Sequence, residues 1–370
     1  VLDMIDNKNQ ISSSKPRKVT QGNLHNGSND NNSKPYFIFH VGPPKTGTST
    51  IQYGLTKLSN ELASKDSYIY LGKSNGGQLQ NNETALAAHY LLFELDAGSL
   101  KHVGTQLESR LKWHYKKGNH VIISVEHFSS GIHSKEGWEV FLSLLKDWNV
   151  RIVITYRRYY EWIPSLYYQE NYRRTPEKSL IKYLDKKLSK NISHPTMIAF
   201  DLYKEYFNDV YIFNSHQDGD IMTNFVCQAL PTAYNICKEL NGQTNAFKSK
   251  HVSPSLDGSK LYAKAKQRSV PMTRKMISKL NDFRLSNNTE YQKFQSCLSS
   301  ESKKRLLDRS LELEKQVALV SENVRLFLEP SRSDDHITNF ESAATKGKYC
   351  EIDASRVLDY PNSTLMRTIS

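Results

Sequence analysis

Glycine, lysine and hydroxyl residues cluster directly behind a short apolar segment near residue 40. The apolar segment YFIFHV (36–41) leads into GPPKTGTST (42–50). If a helix begins within this cluster, its first backbone N–H groups lack an intrahelical partner, and the positive end of its dipole attracts an anion. The Lys45 ammonium and four hydroxyl groups add further donors. The cluster therefore predicts a phosphate-binding loop, whereas the simpler interpretation is a tight turn with a polar helix cap.

The spacing within this cluster differs from that of an ATP-binding P-loop. Gly42 and Gly47 have the separation of the GxxxxGK[ST] pattern, but Thr48 stands where that pattern has its lysine, and Lys45 precedes the second glycine. No aspartate of the Walker B type follows the apolar segments that end near residues 125 and 154. The loop is thus predicted to bind phosphate without the groups that Mg²⁺-dependent γ-phosphoryl transfer uses. A P-loop nucleotide kinase-like enzyme is the alternative.

Arg157 and Ser165 form a second candidate anion site. Arg157 follows the apolar segment 150–154, and Ser165 comes eight positions later. An arginine can bind a phosphate with two parallel hydrogen bonds, and a serine in the first turn of the following helix can donate one more. The simpler interpretation is a surface arginine and an ordinary helix serine. Two phosphate sites at successive strand ends suit a ligand that carries phosphates at two positions.

Glu126 and His127 follow a third apolar segment, residues 121–125. They are expected at the edge of the sheet where α/β proteins bind ligands, and a carboxylate there could take a proton from an attacking hydroxyl. His127 is the rival base, because adjacent residues point in different directions. The structural interpretation is that Glu126 pairs with a basic neighbour. His40 and His89 are expected to be core or pocket residues.

The motif PKTGTS (44–49) resembles the 5′-phosphosulfate loop of sulfotransferases that use 3′-phosphoadenosine 5′-phosphosulfate (PAPS), whose pattern is PK[ST]GT[ST]. The arginine and the serine eight positions later resemble the 3′-phosphate motif of that family. The Ser-x-Glu segment that ends at Glu126 resembles the carbohydrate and bacterial members, rather than the cytosolic phenol type. Two features depart from known members: Pro44 replaces the family's more usual histidine, and the Arg-Lys-Gly lid that closes the 3′-phosphate site in the cytosolic members is absent. Lys248 with Lys250, or the segment 346–348, could replace that lid.

The resemblance implies a sulfotransferase that moves a sulfuryl group from PAPS to a hydroxyl or amine by in-line displacement. A carbohydrate is the expected acceptor, Glu126 the expected base, and no metal is expected. Lys45 would lie near the bridging oxygen, where negative charge grows as the S–O bond breaks. A non-catalytic module that binds anionic glycans with the same fold is a further alternative. The residues that the resemblance places on the 5′-phosphate are Lys45, Thr46, Gly47, Thr48 and Ser49.

Apolar segments that alternate with helical patterns predict the elements that position these residues. The four segments 36–41, 121–125, 150–154 and 210–213 indicate parallel strands covered by helices on both faces. Beyond about residue 255 the strand signal disappears, and 304–328 has the pattern of one long amphipathic helix. The expected fold is a three-layer α/β domain with a P-loop-like nucleotide-binding architecture and a helical C-terminal portion. We expect a flexible tail or stem over 1–34, the sulfotransferase domain over 35–330, and an extension over 331–370 that packs on it.

Apolar side chains at helical spacing predict the helices next to these strands. One helix is expected directly after the loop, from Ile51 to Leu62, and another is marked by residues from Trp138 to Trp148. A third carries Trp162 and Leu166.

Net charge and cysteine usage limit the partners and the compartment. The formal charge of +12 favours anionic partners. No nucleic-acid-binding signature is present, so nucleic acid is not expected. No cysteine spacing is typical of zinc; Cys227 and Cys237 could close a short loop in an oxidising lumen, or all four cysteines could be thiols. We expect a glycoprotein of the Golgi lumen or secretory pathway, with a membrane anchor outside this sequence and the cytoplasm as the alternative. The oligomeric state is left open.

Overall fold

The computed structural model divides the chain into two compact units. The first comprises Val1–Arg157 and Pro195–Ser249, and the second comprises Arg158–His194 and Lys250–Ser370. The described residues are 34–74, 97–126, 135–171, 179–190, 193–216, 219–241, 256–273, 275–276, 279–280, 289–325, 330–360 and 364–369. The predicted tail lies outside them up to residue 33, and the predicted division into tail, domain and extension stays a prediction.

A five-stranded parallel sheet forms the centre of the first unit. Its strands lie in the order β2-β3-β1-β4-β5, and every neighbouring pair is parallel. The four predicted strands are all present, which confirms the α/β class. Their bounds, with that of the additional strand β2, are β1 Tyr36–Gly42, β2 Tyr68–Ser74, β3 His120–Glu126, β4 Asn149–Tyr156 and β5 Asp209–Asn214.

Helices cover both faces of this sheet, because each strand presents apolar side chains on both sides. On one face Leu107, Phe141 and Tyr203 pack against Phe37 and Phe39. On the other face Ile51, Leu55 and Phe225 pack against Ile38 and Val153. The helices of this unit are α1 Thr48–Lys57, α2 Ser59–Asp66, α3 Ala97–Lys116, α4 Lys135–Leu145, α7 Pro195–Tyr203, α8 Ile221–Ala229 and α9 Tyr234–Leu240.

The helix expected from Ile51 to Leu62 is two helices. The first ends at Lys57 and the second begins at Ser59, with Leu58 between them. All four apolar residues of the predicted pattern are buried in the core on one face of the sheet: Ile51, Leu55, Leu58 and Leu62. The helix expected as far as Trp148 ends at Leu145, although Trp148 itself is buried.

The second unit is mainly helical, and it includes one short antiparallel strand pair. The expectation of no strand beyond residue 255 was wrong: β6 Gln295–Cys297 pairs with β7 Cys350–Ile352, and each is too short to show alternation. The helices of this unit are α5 Tyr159–Asn171, α6 Leu180–Leu188, α10 Leu256–Gln267, α11 Thr289–Gln292, α12 Ser300–Ala318, α13 Glu322–Arg325, α14 Pro330–Thr345, α15 Ala354–Asp359 and α16 Thr364–Ile369.

The single long helix expected over 304–328 was also wrong. Helix α12 ends at Ala318, and α13 begins at Glu322. Leu313, Val317 and Val324 are buried as the pattern predicts, but Val320 lies in the turn and is exposed. The apolar spacing continued across this turn, so it could not mark the break.

All four cysteines form disulfides, which decides between the two alternatives left open by the sequence. Cys227 of α8 is bonded to Cys237 of α9, and Cys297 of β6 is bonded to Cys350 of β7. No helix in the described part of the chain is long and apolar enough to cross a membrane.

Candidate functional site

The carboxyl ends of β1 and β4 form the point where the connections of the sheet diverge. After β1 the chain passes through α1 and α2 on one face, and α7, which leads back from β4 to β5, packs on the other face. Ligands of open α/β sheets bind in the crevice at such a point. The loop after β1 and Arg157 after β4 are both located there.

The backbone of the loop adopts left-handed conformations at two residues. Gly47, which precedes α1, has φ of 98°, and Lys45 has φ of 65°. A lysine with positive φ is uncommon and costs conformational energy, so the surrounding contacts must hold it. Gly42 has no room for a side chain, because a Cβ atom there would lie 2.2 Å from Cγ2 of Thr48. The chain therefore turns tightly from β1 into α1.

Hydrogen bonds close this turn from within. The Thr46 hydroxyl donates to the Pro43 carbonyl at 2.7 Å, and the Gly47 carbonyl accepts the amides of Thr50 and Ile51. The helix geometry leaves the amides of Thr48 and Ser49 without an intrahelical acceptor. The Ser49 side chain is exposed, whereas Thr46 and Thr48 are buried. The loop can thus present backbone donors, the Ser49 hydroxyl and a lysine to an anion.

Lys45, Glu126 and Arg157 come together around this loop. Glu126 of β3 lies opposite Gly42 of β1 in the register of the sheet, so the Glu126 side chain starts next to the loop. The guanidinium Nη1 of Arg157 donates to the Lys45 carbonyl at 2.7 Å. Burial lowers the pKa of Lys45, the Glu126 charge raises it and the Arg157 charge lowers it further, with a net lowering. Two cations and one carboxylate therefore share one electrostatic site.

His40 ties together the three strands that carry this site. Its Nδ1 atom lies 2.7 Å from the Ser124 hydroxyl on β3, and its Nε2 atom lies 2.8 Å from the Thr155 hydroxyl on β4. The ring is fully buried, and burial lowers its pKa to about 3. His40 is therefore a neutral core residue, as the sequence predicts, and it fixes the position of the strand ends two residues further on.

We expect this buried imidazole to make the protein less stable in acid. The folded pKa of about 3 is below the usual value of 6.5. The stabilisation is therefore complete above about pH 6.5, and it is lost as the pH falls from there toward 3, because only the unfolded chain takes up the proton. The expected loss is about 2 kcal/mol at about pH 5, measured by urea unfolding. In His40→Gln the fall in stability should be smaller by this amount, and an unchanged fall would contradict the assignment.

Ser165 lies in the second unit. The prediction that it occupies the first turn of its helix was wrong. It is the seventh residue of α5, and its hydroxyl donates to the Glu161 carbonyl at 3.0 Å. The first amides of α5 have acceptors within this unit: Tyr159 donates to Glu314, and Tyr160 donates to Ser310. The amino end of this helix is therefore capped by side chains. Whether Ser165 binds a phosphate stays a prediction.

One of the two candidate lid segments is described. Lys348 forms an ion pair with Glu161 of α5 at 3.9 Å, within the second unit. Lys248 and Lys250 lie outside the described residues, and so do the rival base His127 and His89. Within the described ranges, no three His, Cys, Asp or Glu side chains are grouped so that they could hold a metal ion.

A group of polar residues at the carboxyl end of β5 was not predicted from the sequence. Asn214 pairs with Tyr156 across β5 and β4, and it is fully buried. Its Oδ1 atom accepts the His216 amide, whereas its Nδ2 atom has no hydrogen-bond partner among the described residues. The Ser215 hydroxyl donates to the Tyr156 carbonyl at 2.7 Å. A buried donor without a partner at this edge is available to a ligand. In the sequence, only the location of these residues directly after a buried apolar segment could have indicated this group.

Neither the protein-family models nor the curated proteins include a match to this chain. Its function is therefore inferred from the residues of this site.

Proposed function

We propose that this chain is a sulfotransferase that transfers the sulfuryl group of PAPS to a hydroxyl or amine, with a carbohydrate as the acceptor. The observation that carries the proposal is the convergence of Lys45, Glu126 and Arg157 around a tight loop at the diverging strand ends. The site combines donors for a phosphate, a cation for the leaving group and a carboxylate that could accept a proton. A P-loop-like nucleotide-binding architecture is part of the same proposal.

The proposed reaction is one in-line displacement at sulfur. The acceptor oxygen attacks the sulfur atom as its proton passes to the Glu126 carboxylate. The bond between sulfur and the bridging oxygen breaks, and the electron pair remains on that oxygen as adenosine 3′,5′-bisphosphate leaves. Lys45 stabilises this charge, which develops in the transition state and is complete in the product. This displacement requires no additional oxidant, reductant or metal ion.

Arg157 has two roles in this proposal. It binds the 3′-phosphate, and its bond to the Lys45 carbonyl holds the loop in its left-handed conformation. Both roles use the rigid, planar fork of the guanidinium. A lysine at this position would have the charge, but it could not bind the 3′-phosphate and the Lys45 carbonyl together with the same geometry.

We expect Arg157→Ala to weaken the binding of adenosine 3′,5′-bisphosphate by about 2–4 kcal/mol. Adenosine 5′-phosphosulfate has no 3′-phosphate, so it should lose only about 1 kcal/mol, through the loosened loop. Calorimetric titration of both ligands measures the difference. The control is Arg151→Ala on β4, the strand that precedes Arg157; the Arg151 side chain pairs with Asp209 at 2.8 Å. Equal losses for the two ligands would show that Arg157 does not recognise the 3′-phosphate.

The activity test is sulfuryl transfer from PAPS labelled with radioactive sulfur to a panel of glycans, phenols and peptides. We expect labelled glycan, and much less label in the variants Lys45→Ala and Glu126→Gln. Labelled phenol or peptide alone would assign another acceptor. If no acceptor takes up label while the bisphosphate still binds, the chain is the non-catalytic alternative.

The two disulfides support a secretory location for this enzyme. Cysteine pairs persist in oxidising compartments and are rare in the cytosol. We therefore propose the lumen of the Golgi or another secretory compartment, where glycan acceptors would be exposed to the site.

A further inference from the structure

One tryptophan of the first unit faces solvent, unlike the other three in the chain. Trp138, Trp148 and Trp162 are buried, whereas Trp113 on α3 is 55% exposed. It lines a shallow groove of about 350 Å³ together with Ser109, Arg110 and His114. A single exposed aromatic ring is common on protein surfaces, so the charges around this ring must indicate whether it binds a ligand.

The Trp113 ring is held in place by its neighbours. Its edge meets the buried His114 ring at a centroid distance of 4.7 Å, and the His114 carbonyl accepts the Asn119 amide at 3.0 Å. Leu107 and Leu111 fix the opposite face of α3 in the core. A ligand would therefore meet a preformed aromatic surface and would not have to order it.

The helix segment that carries this ring is positively charged. Arg110, Lys112, Lys116 and Lys117 are exposed, and Glu108 is the one acidic residue between 97 and 118. Glu108 pairs with Lys112 at 2.6 Å, and the net charge of this segment is positive. Arg110, Trp113 and Lys117 follow one another at helical spacing, so they line one exposed face.

This face lies at the end of the sheet opposite to the phosphate loop. Helix α3 connects the parallel strands β2 and β3, so it runs antiparallel to them and ends beside the first residues of β3. The seven residues of β3 then lead to Glu126 at the other end. Seven strand residues span roughly 20 Å, so a small molecule in the catalytic site could not reach Trp113.

We infer that the face formed by Arg110, Trp113, Lys116 and Lys117 binds an anionic polysaccharide, as a second contact for a long acceptor chain. The C–H face of a pyranose ring can pack on the negative π-face of tryptophan, and carboxylate or sulfate groups on neighbouring sugars can pair with the lysines. This inference deepens the proposed function, because it names a polymeric anionic glycan as the acceptor class and rests on that function for its biological meaning.

Two other classes of occupant fit this face less well. A membrane surface would need an apolar helix face turned outward, but the apolar residues of α3 are turned to the sheet and Trp113 stands alone. Single-stranded nucleic acid is bound by several aromatic rings, one for each stacked base, and the other exposed residues of this stripe are polar or charged.

The test uses unsulfated chondroitin as the anionic chain and dextran as the neutral chain. We expect chondroitin to protect the exposed tryptophan from acrylamide quenching, and dextran to give much less protection. Trp113→Ala and the double variant Lys116→Ala/Lys117→Ala should each bind chondroitin about tenfold more weakly, as measured by calorimetry. The control Tyr234→Ala removes another exposed aromatic ring of the same unit and should bind as wild type.

Three results would overturn the inference: no protection by chondroitin, wild-type affinity in Trp113→Ala, or tighter Trp113-dependent binding of single-stranded DNA or anionic vesicles. Sulfuryl transfer to a chondroitin disaccharide separates this inference from the proposed function, since a disaccharide cannot reach both sites. If neither the disaccharide nor any acceptor of the panel takes up label but Trp113-dependent chondroitin binding remains, the proposed function is contradicted and the inference about this surface is not. If transfer occurs but Trp113→Ala binds the polymer normally, only the inference about this surface is contradicted.

Discussion

Replacement of Glu126 by glutamine is expected to lower turnover by about 10²–10⁴ and to leave the binding of adenosine 3′,5′-bisphosphate near the wild-type level. Glutamine retains the shape of the side chain and its hydrogen-bonding oxygen, but it cannot take the acceptor proton. Steady-state kinetics and calorimetry on the same preparation measure the two quantities. The pH–rate profile of the variant should also lose its acidic limb.

The same variant tests the structural interpretation of Glu126. The carboxylate lies close enough to Lys45 to raise its pKa, so it could serve only to hold that lysine. In that case nucleotide binding and turnover would change together. The control is Glu136→Gln, the same change at an exposed position of α4. Near-normal turnover in Glu126→Gln, with none in His127→Ala, would assign the base to His127.

Replacement of Lys45 by alanine is expected to lower kcat by about 10²–10³, the range for losing one group that stabilises a developing oxyanion. Affinity for PAPS should fall less than kcat, because the charge on the bridging oxygen is larger in the transition state than in bound PAPS. Alanine retains the Cβ atom of lysine, so the cost of the left-handed backbone at this position is similar in both proteins. Single-turnover transfer from labelled PAPS measures the rate.

Two further variants separate the Lys45 charge from other effects of the change. Lys45→Met retains most of the apolar stem and should be as slow as Lys45→Ala. Lys57→Ala removes an exposed lysine from α1, the helix that follows the loop, and should have a normal rate. A loss of PAPS affinity with an unchanged kcat would mean that Lys45 binds substrate and transition state equally, which contradicts its proposed role.

The central strands could be predicted from sequence because both of their faces are buried. Such strands consist of nearly continuous apolar residues, as in VIISV (121–125). Strand β2 has no such run: it lies at the edge of the sheet, contains Gly72, and its register shifts between Tyr70 and Lys73. The strands β6 and β7 have three residues each, which is too short for any period.

The chemistry of the candidate site could be predicted from local spacing, but its internal contacts could not. Glycine, lysine and hydroxyl groups behind a buried strand indicate an anion site wherever the rest of the chain lies. The bond from Arg157 to the Lys45 carbonyl joins residues 112 positions apart. His40 likewise joins Ser124 and Thr155, which are 84 and 115 positions away. These contacts depend on the register of three parallel strands, and local spacing in the sequence does not determine that register.

Metal-free binding of adenosine 3′,5′-bisphosphate tests the central claim most directly, because it requires no knowledge of the acceptor. Calorimetric titration in EDTA should give saturable one-site binding that added Mg²⁺ does not change, since both phosphates meet donors of the protein. ATP with Mg²⁺ should bind at least about tenfold more weakly, a difference of about 1.4 kcal/mol. Tighter binding of ATP with Mg²⁺, or no binding of the bisphosphate without a metal, would contradict the assignment of this chain as a PAPS-dependent sulfotransferase.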